Sequence, residues 1–378
     1  MHLDQGMPWR KTAWTGARTV AQPSVDARAP NSSRTPPSPR QARLGIAWTV
    51  APGTYDPLKV IGKTATLTDR ALGALYGLAI GDALGMPTQE LDSVRARLII
   101  GPHPGFRDGP VENPISHGLP AGSITDDTMQ CVLIAELLVA GRGTIEPQKL
   151  ADALLAWERE MVERGRSDLL GPSTKLALAA VAAGQDPTLT GRGGTTNGAA
   201  MRITPVGIAT PAEPLERLLA AVVSADLVTH DTAVAHAGAA AVAAVVAGGV
   251  EGETFEQATP RAIRAAGHFG FGHLFEEALR MRSLDAIVER FGTGVETAES
   301  VPTAFGVAGL SHGDAWEACT RAAELGGDTD TIAAIAGAMV GACTGLSALP
   351  ADAVSKVREV NHLDFEPLVQ SLLALRRR

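Results

Sequence analysis

The chain has 378 residues, 45% of them hydrophobic and 20% charged, which admits one large or two ordinary domains around a real core. A net charge of −8 excludes a general nucleic-acid binder; the first 45 positions are net basic, so the rest is more acidic still. Three dispersed cysteines (Cys131, Cys319 and Cys343) with no CxxC pair exclude a disulfide framework and a thiolate zinc site, and point to a reducing cytoplasm.

Residues 1–62 are rich in Pro, Ser, Thr, Arg and Gln and carry no apolar period. They read as a disordered tail, with a targeting peptide or a start assigned too far upstream as alternatives. The folded domain is expected over 63–378. Its first helical pattern runs from Asp69 through Leu75, Leu78 and Ala79. It is expected to end in the stretch Gly81-Asp82-Ala83-Leu84-Gly85-Met86-Pro87-Thr88-Gln89-Glu90, where Pro87 is a stop signal and Asp82 a candidate buried anchor. A Gly/Pro/His loop follows over 101–122, longer than a mere connection needs. It leads to Gly122-Ser123-Ile124-Thr125-Asp126-Asp127-Thr128 and then to an amphipathic helix carrying Cys131, Leu133, Ile134, Leu137 and Leu138.

Helical patterns recur at 150–162 and 175–183. Between them Asp168 is either a ligand or a turn cap. The small-residue loop 191–202 ends in Asn197-Gly198-Ala199-Ala200-Met201-Arg202. It exposes backbone N–H groups to an approaching ligand, but it matches neither the P-loop nor the dinucleotide fingerprint. Further helices are predicted at 214–223, 232–246, 255–266 and 274–290, from Ser300 onward, and at 315–325 behind an Asp314 cap. His230 precedes the 232–246 helix. The apolar run 233–250 is Ala/Gly-rich and contains His236, which favours a buried helix over a membrane span. Gly326-Gly327-Asp328-Thr329-Asp330-Thr331 opens an apolar helix at 332–342, and a last amphipathic helix covers 363–375. No β alternation is present. The body reads as a single compact all-α domain of roughly a dozen helices.

Two runs stand out. Thr125-Asp126-Asp127 and Asp328-Thr329-Asp330-Thr331 each place paired carboxylates and hydroxyls at a helix start. Capping accounts for one such residue per helix. Paired carboxylates repel unless a cation lies between them, and hard divalent ions take oxygen ligands. Four carboxylates with hydroxyls suffice for two cations of a hydrolytic centre. No Ser-His-Asp elbow, P-loop or HExxH motif competes.

Over about residues 68–347 the sequence resembles the ADP-ribosylglycohydrolase family. The carriers, in order, are Gly77-Leu78-Ala79-Ile80-Gly81-Asp82-Ala83-Leu84-Gly85, Thr125-Asp126-Asp127-Thr128, Asn197-Gly198-Ala199-Ala200-Met201-Arg202, Thr229-His230 and Gly326-Gly327-Asp328-Thr329-Asp330-Thr331. The resemblance implies an all-α fold with a metal-lined cleft holding two divalent cations, Mg²⁺ or Mn²⁺. Thr125, Asp126, Asp127, Asp328, Asp330 and Thr331 are the implied metal ligands. Asn197, Gly198, Ala199, Met201 and Arg202 are the implied substrate loop, and His230 the ribose-side histidine. Asp127, Glu90 and Asp168 are the candidate proton acceptors. One departure is plain: many members carry Glu seven residues after the Asp of the GDxxG motif, where this chain has Gln89 followed by Glu90. The implied substrate is an ADP-ribosylated protein or a small riboside, with neither nucleic acid nor membrane as partner. The rival readings are a glycosidase for another nucleoside-like riboside and a non-catalytic ADP-ribose binder.

Overall fold

The computed structural model describes residues 65–166 and 170–377. The expected tail, the first residues of the expected domain and Asp168 lie outside that range. Seventeen α-helices occur among the described residues. In chain order they are α1 (Leu67–Gly85), α2 (Ser93–Ile100), α3 (Asp126–Ala140), α4 (Pro147–Glu163), α5 (Pro172–Ala182), α6 (Gly198–Met201), α7 (Thr204–Ala209), α8 (Leu215–Asp226) and α9 (Ala233–Glu251). The rest are α10 (Phe255–His268), α11 (Gly272–Arg280), α12 (Leu284–Phe291), α13 (Thr297–Leu310), α14 (Ala315–Ala323), α15 (Thr329–Thr344), α16 (Ala351–Asn361) and α17 (Glu366–Arg376). There is no strand among the described residues, only the isolated bridges Leu91–Gly327 and Thr196–Glu296.

The centre is the pair α1 and α15, and glycine sets their spacing. A Cβ added at Gly73, Gly77, Gly81 or Gly85 would lie 2.1–2.3 Å from a backbone oxygen of Gly341, Gly337, Ala333 or Thr329, respectively. Four glycines at every fourth position form one stripe along α1. As the α1 numbers rise the α15 numbers fall, so the two helices run antiparallel in near backbone contact. This explains why α1 continues through Gly81 to Gly85 instead of ending there as the sequence predicts. These glycines are contact points, not stops. The same register sets the C-terminal end of α1, with Asp82, beside the start of α15, with Asp330.

Helices α9, α13 and α14 pack against this pair. By length and composition α9 is apolar enough to cross a membrane, but every residue from Ala235 to Val250 is buried inside the protein. The predicted helix at 274–290 is two helices, α11 and α12. The Ser283 hydroxyl accepts from the N–H of Ala286 and starts a new helix there. Helices α2 and α16 were not expected. The long loop 101–122 is pinned by buried Asn113, which donates to the carbonyl of Gln89 and accepts from the N–H groups of Ile115 and Ser116.

Candidate functional site

Asp82 is the anchor of the first acidic run. It is fully buried on α1 and receives the Thr125 N–H at 2.9 Å and hydroxyl at 2.8 Å, and the Thr128 N–H at 3.1 Å together with its hydroxyl. Burial pushes its carboxyl above the usual range, and the bonds from Thr128 and Thr125 pull it back. Thr125 is the N-cap residue of α3 but makes no side-chain cap of its own. Asp82 meets N–H groups of this helix start instead, so the start does not depend on the Thr125 side chain.

The second run is shaped by Gly326 and Gly327, both at φ +76°, a left-handed conformation that glycine adopts without steric cost. The Gly327 N–H donates to the carbonyl of Leu91 at 2.7 Å and the Asp328 N–H to that of Thr293 at 2.7 Å. The Thr329 hydroxyl turns toward α1, donating to the carbonyl of Gly85 and lying 2.9 Å from the Thr88 hydroxyl. Asp328, Asp330 and Thr331 are thereby left on the other side. Asp328 does not cap α15; its carboxylate accepts from the Asn197 amide. Asp328 thus fills the cap position of α15 while its side chain is used elsewhere.

The two runs converge. The Thr125 hydroxyl lies 3.3 Å from Oδ2 of Asp127 and 3.4 Å from Oδ2 of Asp330, and the Thr331 hydroxyl 3.4 Å from Oδ2 of Asp127. Asp126, Asp328, Asp330 and Thr331 line a cavity of about 150 Å³, joined by Gln89, Glu90, Ile115, Thr174, Thr196, Asn197, Gly198 and Met201. Burial is the first cause that raises the carboxyls of Asp126, Asp127 and Asp330, and repulsion from neighbouring carboxylates, Asp82 and Asp328 in each case, adds to it; Asp126 is pushed up to about 8. Burial also raises Asp328, opposed by the Asn197 bond.

Two observations bear on a cation. The buried Oδ1 atoms of Asp127 and Asp330 have no hydrogen-bond partner, and a buried carboxylate oxygen without a partner is costly. The donor set is all oxygen, which suits a hard divalent ion. The carboxylates alone form no ready-made cage: among the described residues no three His, Cys, Asp or Glu side chains are grouped to hold an ion. The residues present thus fit a cation as a mixed set in which the threonine hydroxyls take part.

Not every predicted residue reaches the cleft. Asn197, Gly198 and Met201 line it; Ala199, Arg202 and His230 do not. His230 is fully buried behind the loop, with Nδ1 2.8 Å from the Thr229 hydroxyl and Nε2 3.1 Å from that of Thr196. It sets the path of the loop as well, since a Cβ on Gly198 would meet its Cε1 at 2.8 Å. Glu90 does reach the cleft. It is exposed, stands at φ +62° and donates its N–H to the Gly327 carbonyl at 2.8 Å. Gln89 lines the cleft beside it, its amide held by the carbonyl of Met86.

No motif in the sequence marks the strap 293–297. It ties both walls together: the Thr293 carbonyl holds Asp328, and Val295 lines the cleft while its carbonyl accepts from the Asn197 N–H at 2.9 Å. Ser300, just beyond, accepts from the Asn197 amide at 2.8 Å. Thr174 at the start of α5 was missed for the same reason.

Comparison with known proteins bears on the family and the fold. The chain matches the ADP-ribosylglycohydrolase family profile over residues 63–378. It is 32% identical over 327 residues to the uncharacterized protein YegU of Escherichia coli (strain K12), covering 82% of this chain and 98% of that protein. It is 29% identical to the ADP-ribosylarginine hydrolase Tri1 of Pseudomonas putida (strain GB-1), covering 80% and 78% of the two chains. Identity to the ADP-ribosyl-(dinitrogen reductase) glycohydrolase of Rhodospirillum rubrum is 27%, over 81% and 96%. Among solved structures, a chain of an ADP-ribosylglycohydrolase-related protein complex superposes with a TM-score of 0.60 at 30% identity, covering 82% of this chain and 98% of that one.

Proposed function

The chain belongs to the ADP-ribosylglycohydrolase family, and on that footing we propose that it hydrolyses the ribosyl C1 N- or O-glycosidic bond of an ADP-ribosyl group on a protein or small molecule. The observation that carries this reading is the convergence of two acidic runs, about 200 residues apart, on one cleft floored by the Asn197 loop. Breaking a ribosyl C1 bond develops positive charge at C1. In their ionised form Asp126, Asp328 and Asp330, which line the cleft, favour that charge. Water supplies the oxygen that bonds to C1, its proton passes to a carboxylate, and the departing nitrogen or oxygen takes up a proton. We assign proton transfer to Glu90, which lines the cleft, and a ligand role to Asp127, which lies beside Thr125 and Thr331. Two divalent ions, Mg²⁺ or Mn²⁺, held by Thr125, Asp126, Asp127, Asp328, Asp330 and Thr331, would supply Lewis-acid charge stabilisation and a more acidic water. All three cysteines are free and buried, which fits a reducing cytoplasm.

Gln89 lining the cleft supports a narrower second reading, a small free riboside as substrate. One substrate panel tests both: ADP-ribosyl-arginine, ADP-ribosyl-serine, ADP-ribosylated protein and free ribosides, with product mass detection. Release of ADP-ribose that needs Mg²⁺ or Mn²⁺ and is lost in Asp328→Ala is expected. Activity insensitive to EDTA, or complete in Asp328→Ala, overturns the metal assignment. Turnover of free ribosides alone selects the second reading.

A further inference from the structure

A chain of buried polar side chains joins the two walls of the cleft behind the loop, and Arg202 is its hub. Arg202 is almost wholly buried and its guanidinium only donates. Burial pulls it down to about 10, which leaves it a cation at neutral pH. One arm donates to Oε1 of Gln130 at 3.0 Å, so the other end of that amide donates to Oδ2 of Asp126, also at 3.0 Å. The second arm donates to the Thr229 hydroxyl at 2.5 Å.

The direction of the second branch follows from counting protons. The Thr229 hydroxyl is fully buried and accepts from Arg202, so its own proton needs an acceptor. Nδ1 of His230 stands 2.8 Å away. If Nδ1 carried the ring proton, the Thr229 proton would have no acceptor among the bonds formed there. Nδ1 is therefore the acceptor and Nε2 carries the proton. A doubly protonated ring is opposed by burial and by the positive charges of Arg202 and His236. Nε2–H then donates to the Thr196 hydroxyl at 3.1 Å. Having accepted there, Thr196 has its own proton left, and Thr196 lines the cleft.

We propose that Thr196 donates a hydrogen bond to an acceptor oxygen of the bound ADP-ribosyl group, and that Arg202, Thr229 and His230 are positioning residues that fix the direction of that bond. His230 thus acts on the ligand through Thr196. The same cation orients Gln130 toward Asp126, so one buried charge polarises both walls. The ligand assignment rests on the function proposed above; the proton order of the relay does not.

Two measurements on the full chain test this. In ¹⁵N-histidine spectra, the His230 ring is expected to show the Nε2–H tautomer, unchanged from about pH 5.5 to 8.5. Its signal is identified by its loss in His230→Gln or, if that variant does not fold, by its shift in Thr196→Ser. A proton on Nδ1, or a titrating ring, overturns the relay. By calorimetry with ADP-ribose and Mg²⁺, Thr196→Ser is expected to bind like the wild type and Thr196→Val about tenfold more weakly. In turnover the Val loss falls on KM rather than kcat. Equal weakening in both variants, or in neither, overturns the role of the hydroxyl. A wild type that does not bind ADP-ribose overturns the ligand assignment together with the proposed function, while the ring spectrum still judges the relay.

Discussion

At the scaffold helix starts, Asp92, Thr232, Thr254, Ser283 and Asp314 each turn a side-chain oxygen onto an N–H of their own helix. At the cleft, Thr125 and Asp328 hold the same N-cap position and neither does so. Thr125 gives its hydroxyl to Asp82, and Asp328 takes the amide of Asn197. The residue types are alike; the surroundings differ. Where another element satisfies the helix start, the cap side chain is released for other work. Asp82 does this for α3 by accepting from the N–H groups of both Thr125 and Thr128. The difference between a cap and a cleft residue therefore lies in a partner more than 40 positions away in the chain.

The largest effects are expected where released side chains would meet the proposed cation. Asp328→Ala and Asp330→Ala should each lower turnover by at least about 100-fold, more than is typical for the outer partners of a metal ligand. Stability should show the same contrast. A cation bound only to the folded protein adds about 2.7 kcal/mol at a hundred times its Kd. Saturating Mg²⁺ or Mn²⁺ should raise the melting temperature of the wild type and leave that of Asp330→Ala unmoved. If both shift equally, the ions bind elsewhere, and the cleft helix starts differ from the scaffold ones in nothing but geometry.

Asp82→Ala strikes at the cause of the contrast. It leaves the Thr125 and Thr128 donors without their buried acceptor, which costs about 1–3 kcal/mol for each unpaired group. Part of this is regained because burial already raises the Asp82 carboxyl. Loss of both stability and turnover is expected, the turnover because Thr125 is no longer held. Full activity with a normal unfolding curve would show that Thr125 needs no external partner. Gly77→Ala approaches the same register from the scaffold side. The new Cβ would meet the Gly337 carbonyl oxygen at 2.2 Å, so α1 and α15 must separate, at a cost of about 1–3 kcal/mol for an overpacked core. Chemical denaturation measures it.

The sequence shows what the site is made of but not how it is held. Both acidic runs, the Asn197 loop and the helical character of the body are legible because they depend on local spacing. The Gly81 and Gly85 positions are not, since a glycine that ends a helix and one that lets two helices touch are the same letter. Only the facing residues Ala333 and Thr329 on α15 tell them apart. His230 misleads for a related reason. The motif puts it next to the site, while Thr196 and Thr229, which occupy both ring nitrogens, decide that it stands behind the cleft wall. The strap 293–297 works through backbone carbonyls at Thr293 and Val295, and backbone groups leave no signature in side-chain identity.

The smallest effect gives the sharpest control. Asp314 starts α14 and accepts from the N–H of Glu317 at 2.9 Å, with its carboxylate on the protein surface. It is the scaffold counterpart of Asp328, another aspartate at an N-cap beside a glycine. Asp314→Ala should cost about 1 kcal/mol of stability, the usual value of a lost cap, and leave turnover and the response to Mg²⁺ intact. Asp328→Ala removes no cap, so its cost to helix α15 should be smaller, while its cost to turnover is large. The two substitutions should thus be opposite in kind: one seen only by denaturation, the other chiefly by activity. If Asp328→Ala destabilised the protein as a lost cap does and Asp314→Ala slowed turnover, the division between scaffold and cleft helix starts would be wrong. Asp328 would then return to the plain capping role that its position alone suggests.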